Sequence, residues 1–520
     1  MVDRIHIGLL RHMHAFRSSH GTGGSRRGRT ARKCRTVAAL LLAAVLTASP
    51  ATASAWSGDY LEAVKNFMQS MHLEAQSDTK LLEGALKGMF SSMDPYSSFM
   101  NQEETKAYEA SLSGQFSGIG ATLEAAAAQG GVRISHVHPD SPAEKVGLHD
   151  GDILLKANGT SLSGMKPEDA AAIIRGTAGT TVTLVYRRGT VESTVTVTRG
   201  AIRTTPVTWR MDGAYGYVRI SQFSTGMSGE LEAALSSFRK AGIGKLILDL
   251  RDNPGGYVSE AVAAGRLLLP PGNIVSLDYR SERFSDATYF TANPDPGWRI
   301  AVLTNENTAS AAEILAGAIQ DADNGFLIGR QTYGKGVVQS IFMLLTPQAQ
   351  AKYAGQYQEA FVTDLEWASY YGVQVQPDEV LGLAKVTTGR YLTRNGRALD
   401  KEGLLPDAEA ANRSPVHEVD IANAEPIQSS GILAAGAYSL AVRQAETILK
   451  AEGSFTGYPD RAFDAATATA LRAYQAKVGL TANGQLDMAT QAALNRRLTM
   501  MRIANDPQYA LAVQALGFFK

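Results

Sequence analysis

The sequence predicts a multidomain α/β protein with a βαβ core, a strand-rich α+β module inserted before it, a helical N-terminal segment and a small all-α C-terminal domain. The chain has 520 residues, too many for one ordinary domain, and its 44% hydrophobic content is enough for several cores. Residues 201–407 alternate apolar strands with helical stretches. This alternation favours right-handed βαβ units and a largely parallel sheet.

The N-terminus has the pattern of a secretory signal over residues 1–55. Basic residues precede an apolar run, Val37–Leu46, and small residues end in Ala53-Ser54-Ala55, the expected cleavage site. An uncleaved anchor is the alternative, although the run is shorter than the about 20 apolar residues that span a membrane. The first ~30 residues are long and polar for a signal, which indicates an over-extended N-terminus. The predicted location is the periplasm or the extracytoplasmic face of the inner membrane.

Composition excludes several classes of function. Lysine plus arginine equals aspartate plus glutamate, 50 each, so no overall field favours nucleic acid. The single cysteine, Cys34, precedes the apolar run, so a cleaved protein has neither disulfides nor thiol catalysis. His136 and His138 alternate on one strand, but no third ligand accompanies them, and we expect them at the surface. We predict neither a metal nor a cofactor.

The remaining segments follow from periodicity. Residues 56–111 place apolar side chains at helical spacing until Met93-Asp-Pro-Tyr-Ser97 breaks the pattern into a turn. Residues 112–200 form short strands, 408–433 are polar and predict a linker, and 434–500 are alanine-rich and helical. Residues 501–520 are expected to be a C-terminal tail.

The strand-rich module carries a glycine pattern, Phe116-Ser-Gly-Ile-Gly120, followed by Asp150-Gly-Asp-Ile-Leu-Leu-Lys-Ala-Asn-Gly159. Over residues 112–200 it resembles a PDZ domain. Gly118 and Gly120, with Ile119 between them, can turn backbone N–H groups toward a peptide's terminal carboxylate, while the peptide adds a strand to a sheet edge. A simple tight turn is the alternative. Arg175 matches a motif of protease-linked PDZ domains and is a candidate for coupling peptide binding to a protease, or a solvated surface arginine.

A serine and a lysine mark the βαβ core. Ser310 and Lys335 lie in a region without histidine between His149 and His417, so a lysine is the natural base for a serine nucleophile. Ser310-Ala-Ala-Glu313 also has the spacing of a capping box, which alone indicates a helix start. Spacing does not separate these interpretations.

The context does. The apolar strand and glycine turn Leu246–Gly256, the serine segment, and Gly329–Gly336 together resemble the carboxy-terminal (tail-specific) processing proteases over about residues 60–407. Met93, where leucine is usual, and Arg394, where proline is usual, depart from that pattern.

The resemblance implies a crotonase-like core in which Ser310 is the nucleophile and Lys335 the general base. It implies that Gln339 holds the lysine by a hydrogen bond, and that the N–H groups of Gly256 and Ala311 form the oxyanion hole. Because a free lysine has a pKa of about 10.4, Lys335 must be desolvated to be neutral at working pH.

The C-terminal segment, from Ala441 through Tyr474-Gln475 to Val478-Gly-Leu-Thr-Ala-Asn-Gly484, resembles a peptidoglycan-binding repeat. Wall binding and a structural role are both open. The predicted function is an exported serine endopeptidase acting on proteins with apolar C-termini, with an adaptor protein or a homo-oligomer as candidate regulators. A catalytically silent peptide- or peptidoglycan-binding scaffold and a crotonase-like acyl-CoA enzyme are the alternatives.

Overall fold

A computed structural model describes residues 58–74, 76–126, 129–138, 140–203, 205–282, 284–357, 372–428 and 431–518. The predicted signal, its cleavage site and Cys34 lie outside these residues. Within the described part of the chain, no helix has both the length and the hydropathy needed to cross a membrane.

The described helices are α1 Gly58–Met71, α2 Asp78–Ser91, α3 Gln102–Leu112, α4 Pro142–Lys145, α5 Pro167–Ile174, α6 Met227–Lys240, α7 Val258–Leu268, α8 Ala311–Asp321, α9 Pro347–Tyr357, α10 Leu440–Ala451, α11 Ala465–Lys477, α12 Met488–Asn505 and α13 Pro507–Phe518. The strands are β1 Ser98–Asn101, β2 Gln115–Gly118, β3 Ala121–Ala126, β4 Gly131–Val137, β5 Ile153–Ala157, β6 Thr160–Ser161, β7 Thr181–Arg188, β8 Val191–Thr198, β9 Gly200–Arg203, β10 Val207–Asp212, β11 Tyr215–Ile220, β12 Lys245–Asp249, β13 Gly272–Tyr279, β14 Ala287–Thr291, β15 Arg299–Thr304, β16 Gly325–Gly329, β17 Val337–Leu345, β18 Val380–Leu392 and β19 Ala408–Glu409.

Two units divide the chain at Leu81. The described part of the first unit contains α1 and the start of α2. Within it, Gln69 donates a hydrogen bond to Asp78, and Lys65 lies 3.6 Å from the same carboxylate. The helix α1 has no buried residue.

The second unit is built on a six-stranded sheet in the order β10-β11-β12-β15-β16-β19. All its pairs are parallel except β10 with β11, which confirms the predicted core of alternating strands and helices. Leu246 and Leu248 of β12 pack with α6, α7 and α8 on one face, whereas Ile247 points to the other face. Alternate residues of a strand point to opposite faces, so both faces need an apolar cover.

The helix α13 provides that second cover. Tyr509, Ala512 and Leu516 are buried against Ile247 and Ala301 of the sheet. Residues 507–518 are therefore not the tail that the sequence predicted, because the apolar second face of the sheet must be shielded from water.

A buried ion cluster fastens α13 to the sheet. The Arg251 guanidinium contacts Asp249 at 2.6 Å and Asp506, directly before α13, at 2.9 Å. Burial works against the charge of Asp249, but Arg251 outweighs it and holds the pKa of that carboxyl far below its usual range.

A second, antiparallel sheet has the order β1-β18-β13-β14, with β17 also pairing to β18. The strand β1 lies within the segment predicted as helical, and it is extended because it pairs with β18, from Ser98 opposite Lys385 to Asn101 opposite Gly382. Through β18, this sheet brings the turn before β1 next to the segment before β17.

The inserted module has its own sheet, β3-β4-β5-β7-β8, with β6 beside β5. Its core contains Ile119, Val132, Leu154 and Ile174, so α5 packs onto the sheet. The strand β3 is at one end of this order, and within the described residues its outer edge pairs with no strand.

The C-terminal helices α10, α11 and α12 share a core with Ile421, Ala424 and Ile427. Part of the predicted linker is therefore a structural element of this domain, because its apolar side chains pack under the helices. The domain also contacts the inserted module: Arg443 lies 3.2 Å from the buried Asp150, and Arg461 lies 3.1 Å from Glu144. His136, expected at the surface, is partly covered by Arg443, 3.0 Å from its ring.

Candidate active site

Ser310 sits at the turn between β15 and α8. Its backbone has φ 58° and ψ −119°, a left-handed conformation that non-glycine residues rarely adopt. Such strain is typical of functional sites, and a sharp strand-to-helix turn exposes the nucleophilic serine of α/β-hydrolases. The turn is held by hydrogen bonds, including one from Ala309 N–H to the Asn253 carbonyl at 2.9 Å.

The glycine turn after β12 packs directly against this serine. A Cβ on Gly255 would lie 2.7 Å from the Ser310 Cβ and 2.9 Å from the Ala311 nitrogen, so a larger residue would collide there. Gly256 follows with φ 143°. Within the described residues, the N–H groups of Gly256 and Ala311 donate to no protein atom. Ala311 directly follows Ser310, and Gly256 directly follows the glycine that packs against it, and their role as oxyanion-hole donors stays a prediction.

Glu313 joins the serine segment to the lysine segment. Its side chain is fully buried on α8, and its Oε2 accepts the N–H of Ser310 at 2.8 Å and that of Lys335 at 3.0 Å. Its Oε1 accepts the Thr332 hydroxyl at 2.6 Å and the Gly334 N–H at 2.8 Å. One carboxylate thus fixes both main chains. The spacing Ser310-Ala-Ala-Glu313 identified Glu313 as a helix-capping residue. It did not indicate that the same carboxylate would also bind the lysine segment.

Lys335 is largely withdrawn from water. Burial lowers its pKa from the usual lysine value, and the positive charge of Lys385 lowers it further, whereas Glu313 and Asp94 oppose the shift. The Nζ lies 5.0 Å from the centroid of the Tyr96 ring. Within the described residues no hydrogen bond joins the Lys335 Nζ to the Ser310 Oγ. The main chains of the two residues meet through Glu313.

Gln339 differs from its predicted role. In β17 it lies opposite Thr387 of β18, and its Nε2 donates to the Thr387 hydroxyl at 3.2 Å rather than to Lys335. The strand pairing thus directs this amide to β18. Thr387 also donates to Asp94 at 3.2 Å, so Gln339 is connected to the turn that carries Tyr96.

The predicted peptide-binding residues precede the edge strand β3. Gly120 has φ 75°, and a Cβ there would lie 2.4 Å from the Ser141 Cβ. The Ile119 side chain is buried, and its carbonyl accepts the Ala143 N–H, while Gly118 pairs with Gly200. Arg175 ends α5 and is exposed, and its coupling role stays a prediction.

Sequence reasoning also missed the part played by the turn Asp94–Ser97. Its Asp-Pro-Tyr-Ser pattern indicated a turn, but nothing local indicated that the turn would lie against Lys335.

Comparisons with known proteins identify the domains of the chain. Residues 214–410 match the model of peptidase family S41, residues 110–187 that of the PDZ domain, residues 439–494 that of a peptidoglycan-binding domain, and residues 49–105 that of the N-terminal domain of the activating protease CtpB. The carboxy-terminal processing protease CtpA of Bacillus subtilis (strain 168) is 31% identical over 464 residues, 88% of this chain and 90% of that protein. A "Probable CtpA-like serine protease" of Staphylococcus haemolyticus (strain JCSC1435) is 28% identical, over 83% of this chain and 78% of that protein.

Among solved structures, the photosystem II D1 C-terminal processing protease matches with 24% identity and a TM-score of 0.38, covering 68% of this chain and 86% of that one. An S41 protease from Bacteroides fragilis matches with 18% identity and a TM-score of 0.40, covering 69% and 91%. On the strength of the sequence relatives, the chain belongs to the carboxy-terminal processing proteases of peptidase family S41, a family of serine proteases, and it carries PDZ and peptidoglycan-binding domains.

Proposed function

We propose that this chain is an exported serine endopeptidase in which Ser310 is the nucleophile and Lys335 the general base. The observation that carries the proposal is Glu313, whose single Oε2 binds the main-chain N–H groups of both residues. A lysine can serve as a base only when its amine is neutral, and the burial that lowers the Lys335 pKa favours that form.

The chemistry follows from these positions. The lone pair of the Lys335 amine takes the Ser310 hydroxyl proton as the Oγ attacks the scissile carbonyl carbon. The carbonyl π electrons move to its oxygen, which the Gly256 and Ala311 N–H groups stabilise. Collapse of this intermediate expels the amine of the leaving peptide, which takes the proton from Lys335, and water then hydrolyses the acyl-enzyme.

The PDZ module would supply the substrate. The free edge of β3 suits an added strand, and the Gly118–Gly120 segment suits a terminal carboxylate. We propose that the substrates are proteins with apolar C-termini. Location in the periplasm or at the extracytoplasmic face of the inner membrane is supported by the N-terminal sequence pattern and by the peptidoglycan-binding domain, and cell fractionation tests it. Peptidoglycan, an adaptor protein and a second copy of the chain remain candidate partners.

The test compares Ser310→Ala and Lys335→Ala with two exposed controls on α6, Ser236→Ala and Lys240→Ala. The substrates are one protein with an apolar C-terminal tail and the same protein with two terminal aspartates. Each active-site variant should lose about 10³-fold or more in kcat/KM while keeping the wild-type circular dichroism. The controls should match the wild type and prefer the apolar tail. Wild-type rates in either active-site variant would refute the dyad, and an inactive wild type would favour the silent scaffold.

A further inference from the structure

The turn Asp94–Ser97 is held by hydrogen bonds between its own residues. Asp94 Oδ1 accepts the N–H groups of Tyr96 at 2.7 Å and Ser97 at 2.8 Å, and its Oδ2 accepts the Ser97 hydroxyl at 2.6 Å. These bonds fix the main chain of the turn at Tyr96 and Ser97. Neither the proposed dyad nor the oxyanion hole accounts for this turn.

The turn is also fastened to the sheet that carries the lysine segment. The Thr387 N–H of β18 donates to the Ser97 hydroxyl at 3.1 Å, and its side chain donates to Asp94. The strand β17, which begins two residues after Lys335, pairs with the same β18. The position of Tyr96 relative to Lys335 is therefore set by two strands that share one neighbour.

The Tyr96 ring covers the lysine amine. The distance of 5.0 Å from the Lys335 Nζ to the ring centroid lies within the about 6 Å at which an aromatic face attracts a cation. Burial and the neighbouring Tyr333 hydroxyl raise the pKa of Tyr96 to about 12, so the ring is neutral at working pH. The titratable groups around the amine, from every element packed against it, are Glu313 of α8, Asp94 and Tyr96 of the turn, Lys385 and Tyr391 of β18, Tyr333 beside it, and Asp400.

We propose that Tyr96 is a positioning residue for Lys335: its ring keeps water from one side of the neutral amine and faces the ammonium that forms when the amine takes the Ser310 proton. This inference rests on the proposed function, in which Lys335 is the base. The hydroxyl of Tyr96 has no part in it. A phenylalanine in place of Tyr96 should therefore preserve the activity, whereas an aliphatic residue should not.

Removal of the Tyr96 ring changes the Lys335 pKa in two opposite ways. Loss of the ring admits water, and because burial is the largest cause of the lowered Lys335 pKa, that pKa rises. Loss of the ring–cation contact acts the other way, and we expect the entry of water to outweigh it because burial is the first cause of the lowered pKa. Since the base must be neutral, the ascending limb of kcat/KM against pH moves to higher pH. A shift of about one unit lowers the rate at pH 7 about tenfold.

The experiment measures kcat/KM from pH 6 to pH 10 for the wild type, Tyr96→Phe and Tyr96→Leu in the full chain. The matched control is Tyr353→Leu, whose ring lies 4.7 Å from a different lysine, Lys352. We expect Y96F and the control to follow the wild-type profile, and Y96L to lose about tenfold at pH 7 and to recover at high pH. In parallel, NMR of dimethylated lysines in an S310A background follows the Lys335 titration without any catalysis.

Each outcome decides. A Y96L profile with the wild-type limb, a uniform loss at every pH, or a Y96F variant as impaired as Y96L overturns the inference. An unshifted Lys335 titration in S310A/Y96L does the same, even if Y96L is too unstable for kinetics. Failure of the proposed function is distinct, because K335A would then keep its activity whatever Tyr96 does.

Discussion

Two buried glutamates, Glu313 in the protease core and Glu446 in the C-terminal domain, have similar burial and different surroundings. Glu313 is fully buried and accepts hydrogen bonds from four donors at 2.6–3.0 Å. Glu446 is 1% exposed and accepts two, from the Thr467 hydroxyl and the Asp460 N–H. Burial raises the pKa of Glu446 to about 8 because these two bonds do not offset it.

The difference shows what a buried carboxylate needs. Each N–H or O–H donor favours the ionised form, and burial without enough donors favours the protonated form. The donors of Glu313 include the main chains of the proposed nucleophile and base, so the carboxylate organises the site. Glu446 instead links α10 to α11 and to the segment before α11. Its carboxyl is protonated at neutral pH because its pKa is raised to about 8.

Among the tests of this comparison, Glu313→Gln has the largest expected effect on activity. An amide nitrogen in place of either oxygen faces two donors, and each buried donor left without an acceptor costs about 1–3 kcal/mol. We expect a loss of about 3 kcal/mol in the free energy of unfolding in urea and about 10²-fold or more in kcat/KM. Glu232→Gln, an exposed change on α6, is the control. Wild-type kcat/KM in E313Q would show that Glu313 does not organise the site.

A second test uses Glu446→Gln, and its sign depends on pH. Between the unfolded pKa of 4.5 and the folded value of about 8, the folded domain holds a proton that the unfolded chain has released. Wild-type stability therefore falls as pH rises through this window, by on the order of 5 kcal/mol at about 1.4 kcal/mol per pH unit, and the neutral glutamine should remove that slope. Calorimetry of the full chain at pH 5, 7 and 8.5 should show E446Q gaining over the wild type at the higher pH values.

Glu452 supplies a control of opposite sign in the same domain. Burial works to raise its pKa, but hydrogen bonds from Lys477 and Arg497 outweigh this and lower it. Glu452→Gln should therefore lose stability at neutral pH and approach the wild type as pH falls through the lowered pKa. Parallel pH profiles for E446Q and E452Q would contradict the comparison.

The sequence could predict contacts between residues that are close in sequence or that follow neighbouring parallel strands, but not long-range contacts. Ser310, the glycine turn and Glu313 are close in sequence or follow parallel strands, so local pattern and sheet topology bring them together. The contact between Tyr96 and Lys335 depends on β1 and β17 sharing β18, and the cover given by α13 depends on which sheet face is left open. Such long-range pairings have no local signature, which is why Tyr96, the helix at 507–518 and the packing of Ile421 were not predicted. The hydrogen bond from the Gln339 amide to Thr387 was not predicted either, because it depends on the pairing of β17 with β18.

The smallest expected effect comes from removing one hydroxyl group that donates a hydrogen bond to each glutamate. Thr332 donates to Glu313 and accepts the Leu404 N–H. Thr467 donates to Glu446 and accepts the Asp464 N–H, and its hydroxyl also lies 3.0 Å from the Asp464 Oδ1. Thr332→Val leaves Glu313 three main-chain donors, and we expect a cost of about 1–2 kcal/mol in unfolding free energy. Thr467→Val leaves Glu446 only the Asp460 N–H, which further raises its pKa. Its cost should therefore be smaller at pH 5, where the carboxyl is protonated, than at pH 8.5. Equal costs at both pH values in T467V would mean that the number of donors does not set the charge of Glu446.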